Sequence, residues 1–374
     1  MSKKFATSDG TSQYVQRFLK KFVQNHFRQT QDLWLSSIGI GTYLGEANDP
    51  IDKSYTEAIV KAVELGCNVI DTAANYRFQR SERAIGKAIQ KLKKKKYGRD
   101  EFLICTKGGY LPFESEPPTN VRQYFIDNFV ETGIADFDDI VGGSHCMTPA
   151  YLQNQIDQSL KNMNIEGIDV YYIHNPEAQH AEVEQAEFEA RLASAFELLE
   201  ENRTNGKINF YGVATWNGFR VSPQSKEYHS LEKMVNIAEK VGGKNHGFKF
   251  IQVPLNLAMP EALVLKNQNL NGEAQSTISV AHALDITVIA SASLSQGQLA
   301  SNLPNDVGET LGELETDAQT SLQFVRSAPG ITTALVGMSR AAHVEENMKL
   351  GRIEPVSNET FMDLFEEKQK TVKN

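Results

Sequence analysis

Short apolar runs alternate along most of the chain with stretches in which apolar residues recur every three or four positions. Runs of the first kind read as strands buried on both faces, and stretches of the second kind read as amphipathic helices that cover them. The apolar runs fall at residues 37–43, 67–71, 102–107, 169–174, 208–215, 250–256, 286–291 and 332–337. Helical periodicity fills the intervals at 54–65, 81–92, 188–202, 230–241, 274–284 and 317–326. A further helix opens at Thr148-Pro149, with Thr148 as N-cap, Pro149 in the first turn, and Leu152, Ile156 and Leu160 on one stripe. Eight strand–helix units predict an α/β fold, a (β/α)8 TIM barrel closed on itself, rather than an open doubly wound sheet.

Two parts of the chain exceed a minimal barrel. Residues 1–30 form an N-terminal extension whose Tyr14, Phe18, Phe22 and Phe27 look like side chains packed onto a domain. The barrel spans 31–355, and a helical tail occupies 356–374. After the third strand, residues 108–147 form a long lid or substrate loop. Its aromatics Tyr110, Phe113, Tyr124, Phe125, Phe129 and Phe137 favour an ordered lid over a loose linker.

Charge narrows the partners. A net charge of -9 over 374 residues disfavours a nucleic-acid partner, which needs a basic surface. No apolar stretch is long enough to cross a bilayer, so neither nucleic acid nor membrane is expected as a partner, and a small molecule fits better. Cys67, Cys105 and Cys146 are too few and odd in number for a disulfide framework, which points to a reducing, cytoplasmic setting. No metal site is expected: His145-Cys146 stands alone without partners at ligand spacing. No strand-Gly-x-Gly-x-x-Gly-helix element or phosphate loop appears, so a nucleotide would be held in another way.

In such barrels, side chains at the C-terminal strand ends do the chemistry. The second, third and fourth runs end in Asp71, Lys107 and His174, and Tyr76 lies in the loop after Asp71. Together they suggest a proton-transfer site. A phenol is a reluctant acid, but an adjacent ammonium lowers its pKa, and Lys107 supplies that field. Asp71 would keep the sunken Lys107 charged, and His174 would donate a hydrogen bond to a substrate carbonyl oxygen. Tyr76 is then a tuned general acid.

The order of these motifs resembles the aldo-keto reductase family from Ile38 to Asn347. The matching segments are Gly39-Ile-Gly-Thr42, Val69-Ile-Asp-Thr-Ala-Ala-Asn-Tyr76, Ser81-Glu82 with Gly86, Cys105-Thr-Lys107, Tyr171-Tyr-Ile-His-Asn-Pro176, Gly206-Lys-Ile208 with Gly212-Val213, Gln252-Val-Pro-Leu-Asn256 and His343-Val-Glu-Glu-Asn347. The resemblance implies that Asp71, Tyr76, Lys107 and His174 are the catalytic tetrad, with Tyr76 as proton donor to a carbonyl that accepts hydride from NADPH. It implies a cofactor site that includes Gly41, Thr42, Gln252, the phosphate-covering stretch Leu294, Ser295, Gln296 and Gly297, and the segment Gly337, Met338, Ser339 and Arg340. His343, Glu346 and Asn347 complete it.

Two departures stand out on the cofactor side. The family's Ser-Asn pair after the fifth strand is Ala214-Thr215 here, with Thr215 or Asn217 as substitutes. The usual stacking aromatic after the seventh strand is Ser291. Arg340 favours NADP(H) over NAD(H) by offering a planar fork to the 2′-phosphate. Tyr43, Asn175 and Trp216 are the expected substrate contacts. The resemblance thus implies reduction of aldehydes or ketones. An alternative is a nicotinamide-binding redox sensor similar to the potassium-channel β-subunits, with slow turnover.

Overall fold

The computed structural model describes residues 3–312 and 314–371. A short antiparallel hairpin, β1 (Phe27–Thr30) and β2 (Leu33–Ser36), precedes the barrel. The barrel strands are β3 (Ile38–Gly41), β4 (Val69–Asp71), β5 (Leu103–Gly108), β6 (Ile168–His174), β7 (Ile208–Ala214) and β8 (Phe248–Pro254). A second hairpin, β9 (Gln268–Leu270) with β10 (Glu273–Gln275), interrupts the series before β11 (Thr287–Ser291) and β12 (Ile331–Gly337). The eight strands β3 to β8, β11 and β12 pair in parallel around a closed barrel, with β12 returning to β3. Each of the eight apolar runs supplies one barrel strand.

Two apolar layers hold the barrel. Between strands and helices lies the main core, which includes Ile59, Ile85, Leu152, Phe196, Ile237 and Leu322. Inside the barrel Val69, Leu103, Val170, Tyr172, Phe250, Ile289 and Leu335 pack together, and Leu33 and Leu35 of the first hairpin join them. The N-terminal segment therefore plugs the floor of the barrel. The Ala6 N–H donates to Asp169 at 2.5 Å, and the Tyr14 hydroxyl donates to the Val63 carbonyl at 2.6 Å. Tyr14, Phe18 and Phe27 are buried, and the hairpin straddles the expected boundary between residues 30 and 31.

Two local expectations need correction. Helical periodicity from residue 274 overruns a hairpin, because Asn271 and Gly272 both adopt positive φ, 54° and 88°, and fold the chain back. An Asn-Gly pair suits this turn. The helix proper is Thr277–Ala283, capped by the Ser276 side chain. Thr148 does occupy the N-cap position of Pro149–Met163, but its side chain makes no cap bond; its hydroxyl lies 3.4 Å from Cys146 Sγ instead.

The segment at 108–147 is ordered. It contains the helix Val121–Phe125 and a wider turn Ile126–Val130, and its Leu111, Phe125, Phe129, Ala135 and Cys146 form a satellite core with Tyr151 of the next helix. This core packs on the flank of the Pro149–Met163 helix. Of the segment's residues, Tyr110 alone lines the cleft at the mouth. The lid expected from the aromatics is mostly a buttress: rings that satisfy each other beside the barrel are not available to cover its mouth.

Candidate active site

The C-terminal strand ends open into a cleft of about 870 Å³. Its chemistry starts from the register of β4 and β5. Asp71 pairs with Cys105, so Asp71 and Lys107, both buried, come from neighbouring strands. Lys107 Nζ donates to Asp71 Oδ2 at 2.6 Å and to the Thr72 carbonyl at 2.7 Å. The β4–β5 ladder continues into the loop, with the Thr72 N–H on the Cys105 carbonyl and the Ala74 N–H on the Lys107 carbonyl, both at 3.0 Å. This carries Tyr76 back over Lys107, whose Nζ lies 5.0 Å from the phenol ring centroid.

The loop then leaves through three consecutive left-handed residues, Arg77, Phe78 and Gln79, with φ of 48°, 57° and 68°. Such a run is unfavourable for residues with a Cβ, by about 1 kcal/mol or more each. Side-chain bonds hold it. Buried Arg77 donates to Asp52 Oδ1 at 2.6 Å and to the Glu46 carbonyl at 2.8 Å, and Gln79 Nε2 donates to the Phe113 carbonyl at 3.0 Å.

His174 ends β6. Its ring meets Tyr76 edge-on at 5.8 Å and Tyr110 edge-on at 5.1 Å. Tyr43 packs edge-on against Tyr76 at 5.0 Å. The rings of Tyr43, Tyr76, His174 and Tyr110 thus form a continuous arc, and Asn175 Nδ2 donates to the Tyr110 hydroxyl at 3.2 Å. Tyr43 and Trp216 are 54% and 40% exposed, so each presents a face at the rim.

Burial dominates the electrostatics. It pushes the Tyr76 phenol above its ordinary value of 10.0, and the opposing field of Lys107 only partly offsets it. The expected lowering of the phenol pKa is therefore reversed in direction, and Tyr76 remains a protonated phenol with a proton to give. Burial disfavours the Lys107 ammonium, yet Asp71 and Tyr76 hold it above its ordinary value. His174 is pushed well below 6.5 by burial, then by Lys107 and His145, and stays neutral near pH 7. A neutral imidazole can polarise a carbonyl by donating a hydrogen bond to it.

The cofactor candidates divide. Gly41, Thr42, Thr215, Gln252, Leu294, Gln296, Gly297, Gly337, Ser339, His343, Glu346 and Asn347 all line the cleft. Asn217 does not: its side chain turns to the Glu227 carboxylate at 3.2 Å. Met338 is buried. The Ser295 hydroxyl is directed to Gln298, and the amides of Ser295 and Gly297 are engaged by the Ala292 and Leu294 carbonyls. Arg340 caps the helix Ala341–Met348 by position, is exposed, and lies outside the cleft lining. Gln252 Nε2 donates to Asp71 Oδ1 at 2.8 Å, which joins the cofactor half of the cleft to the ion pair.

Several lining residues had no sequence signal of their own, among them Leu44, Tyr55, Asn75 and Ser293. Tyr110 lies three positions beyond Lys107, so the strand-end rule that selected Asp71, Lys107 and His174 reaches it only when extended into the following loop.

A dinucleotide fits this half of the cleft on its own chemistry. Thr215 Oγ1, Ser293 Oγ and Asn347 Oδ1 are buried, line the cleft, and have no hydrogen-bond partner among the described residues. Buried polar atoms are seldom left so. Strung from the end of β7 to the helix after β12, they match an elongated polar ligand.

Residues 37–367 match the aldo/keto reductase family. Over 355 residues the chain is 23% identical to a Schizosaccharomyces pombe protein whose name proposes a voltage-gated potassium channel β subunit, covering 89% of each chain. The glycerol dehydrogenase of Gluconobacter oxydans superposes with a TM-score of 0.63 at 18% identity, covering 94% of this chain and 98% of that one. An aldo/keto reductase from Klebsiella pneumoniae, in complex with NADP and acetate, superposes with a TM-score of 0.60 at 17% identity, covering 91% and 94%.

Proposed function

The chain belongs to the aldo/keto reductase family, and from that premise we propose that it is an NADP(H)-dependent cytoplasmic oxidoreductase that reduces aldehyde or ketone carbonyls to alcohols, with Tyr76 as proton donor. One observation carries the reading: the buried Asp71–Lys107 pair at 2.6 Å lies under the Tyr76 ring, with neutral His174 beside it at the mouth. NADP is present in the Klebsiella neighbour; its reduced form, NADPH, would supply the hydride that the carbonyl carbon accepts and would leave as NADP⁺. Thr215, Ser293 and Asn347 would hold it through their unpaired atoms, and Gln252 through its remaining amide oxygen.

Tyr76 then passes its proton to the carbonyl oxygen, on which negative charge develops as the carbon is reduced. Lys107 stabilises the phenolate left behind, and Asp71 keeps Lys107 charged for that moment. His174 orients the carbonyl by hydrogen bonding. Tyr43, Trp216, Asn175 and Tyr110 shape the space for the rest of the substrate.

Tyr76→Phe removes the proton and little else. We expect turnover to fall by about 10²- to 10⁴-fold, with NADPH affinity changed less than about twofold. Wild-type turnover in this variant would remove Tyr76 from the role. The likeness to the β-subunit-named protein, together with Ala214 and Ser291 in the nicotinamide clamp, favours a second reading as a cofactor-retaining redox sensor. Slow oxidation of prebound NADPH by every simple aldehyde tried would select it.

A further inference from the structure

Glu177 is a buried acid beside the cleft that the reaction scheme does not use. Glu177 begins a short helix three residues after His174, and its side chain is 5% exposed. Its Oε1 accepts the backbone N–H of Trp216 at 2.6 Å and that of Asn217 at 2.9 Å. Its Oε2 faces His229 Nε2 at 3.6 Å. Burial alone would raise its carboxyl, but His229 and the backbone N–H groups hold it below the usual carboxylate range.

These contacts fasten both ends of one excursion, residues 216–229. The His229 N–H closes its neck by donating to the Gly218 carbonyl at 2.7 Å, and the His229 ring stacks on Phe188 at 5.1 Å. Gly218 has no room for a side chain, since a Cβ there would lie 2.2 Å from the His229 ring. Thr215 and Trp216, at the root of the excursion, both line the cleft.

We propose that Glu177 is a positioning residue: a buried carboxylate that fixes the backbone at 215–217, so that the Thr215 hydroxyl and the Trp216 ring form the wall against the nicotinamide end of the cofactor and the carbonyl substrate. The inference rests on the dinucleotide-dependent reading of the cleft. Ala214 and Ser291 leave few side chains to clamp the nicotinamide, so the shape of the wall depends on its backbone. Two of its N–H groups, those of Trp216 and Asn217, are tied to one oxygen. An apolar replacement would strand both donors in a dry place.

The test compares Glu177→Ala with Glu177→Gln in the full chain. Gln retains one oxygen for both N–H groups and turns its amide to His229, so it should rescue. Two readouts need no cofactor: amide hydrogen exchange in the peptide that contains Trp216 and Asn217, and acrylamide quenching of Trp216 in a Trp34→Phe background. The Ala variant should exchange at those amides about tenfold faster or more, with greater quenching. It should also raise the NADPH Kd and the substrate KM about tenfold while kcat changes less than about threefold; Gln should stay within about threefold of wild type throughout.

Unchanged exchange at Trp216 and Asn217 in the Ala variant would overturn the proposal. So would protection lost evenly over the whole barrel, which is the mark of a merely structural role. A wild-type protein that bound no NADPH would defeat the dinucleotide reading instead, with the exchange comparison still deciding whether Glu177 holds the wall.

Discussion

Replacing Asp71 by Asn keeps the shape of the site and removes one charge from its centre. Both carboxylate oxygens accept hydrogen bonds, Oδ2 from Lys107 at 2.6 Å and Oδ1 from Gln252 at 2.8 Å. Asn offers one acceptor. Its NH₂ must therefore face a donor, either the Lys107 ammonium or the Gln252 amide, unless Gln252 turns over and alters what it presents to the cofactor half. Unit charges 2.6 Å apart attract by about 6 kcal/mol at an effective dielectric of about 20, and loss of one partner of a buried pair typically costs about 3–5 kcal/mol.

At about 1.4 kcal/mol per tenfold, that lowers the proton affinity of Lys107 by roughly two to four powers of ten. The sign follows. In the wild type Lys107 is held above its ordinary value of 10.5, so its charge is present throughout the usual assay range. In the Asn variant the charge is lost as pH rises within that range. The measurement is kcat for NADPH oxidation at saturating aldehyde, from about pH 6 to 9, in both proteins, with circular dichroism to confirm folding. Expected is a low, falling profile for Asp71→Asn where the wild type shows no loss from Lys107. A folded variant whose profile ran parallel to the wild type at every pH would refute the idea that Asp71 keeps Lys107 charged.

Other outcomes follow from the same site. Arg340→Ala should weaken NADPH binding about tenfold and leave NADH unaffected, as titration of each cofactor would show; equal losses would take Arg340 out of phosphate recognition. Among the described residues that line the cleft there is no Lys or Arg, so an anionic substrate would meet no counter-charge. The kcat/KM for benzaldehyde should accordingly exceed that for 4-carboxybenzaldehyde by about tenfold or more, and the reverse order would exclude an uncharged substrate class. Burial lowers His26 to about 3 and His145 to about 4. The unfolded chain takes up these protons near pH 6.5 and the folded one does not, so stability is full above that pH and is lost as pH falls toward 4. Thermal unfolding should show a Tm that declines over this window, and a flat Tm would contradict it.

Much of the barrel was legible because strand burial is periodic in the chain itself. A strand covered on both faces must be apolar along its length, and its last residue before the loop stands at the rim whatever the helices do. That rule selected Asp71, Lys107 and His174 from their positions alone, and the same rule extended by three residues would have found Tyr110. It could not find Glu177, because nothing near that residue shows that its oxygen meets amides forty positions away.

By itself, then, the sequence determined the number of barrel strands, the alternation that closes them, and which ionisable groups share a rim. Local periodicity carries that information. Only the tertiary structure decided that the aromatics of 108–147 satisfy one another beside the barrel, that Asn217 turns to Glu227, and that Arg340 lies outside the cleft lining. It also reversed the pKa shift of Tyr76, because the field of a neighbouring ammonium can be guessed from spacing, whereas the opposing cost of burial depends on how much protein closes over the phenol.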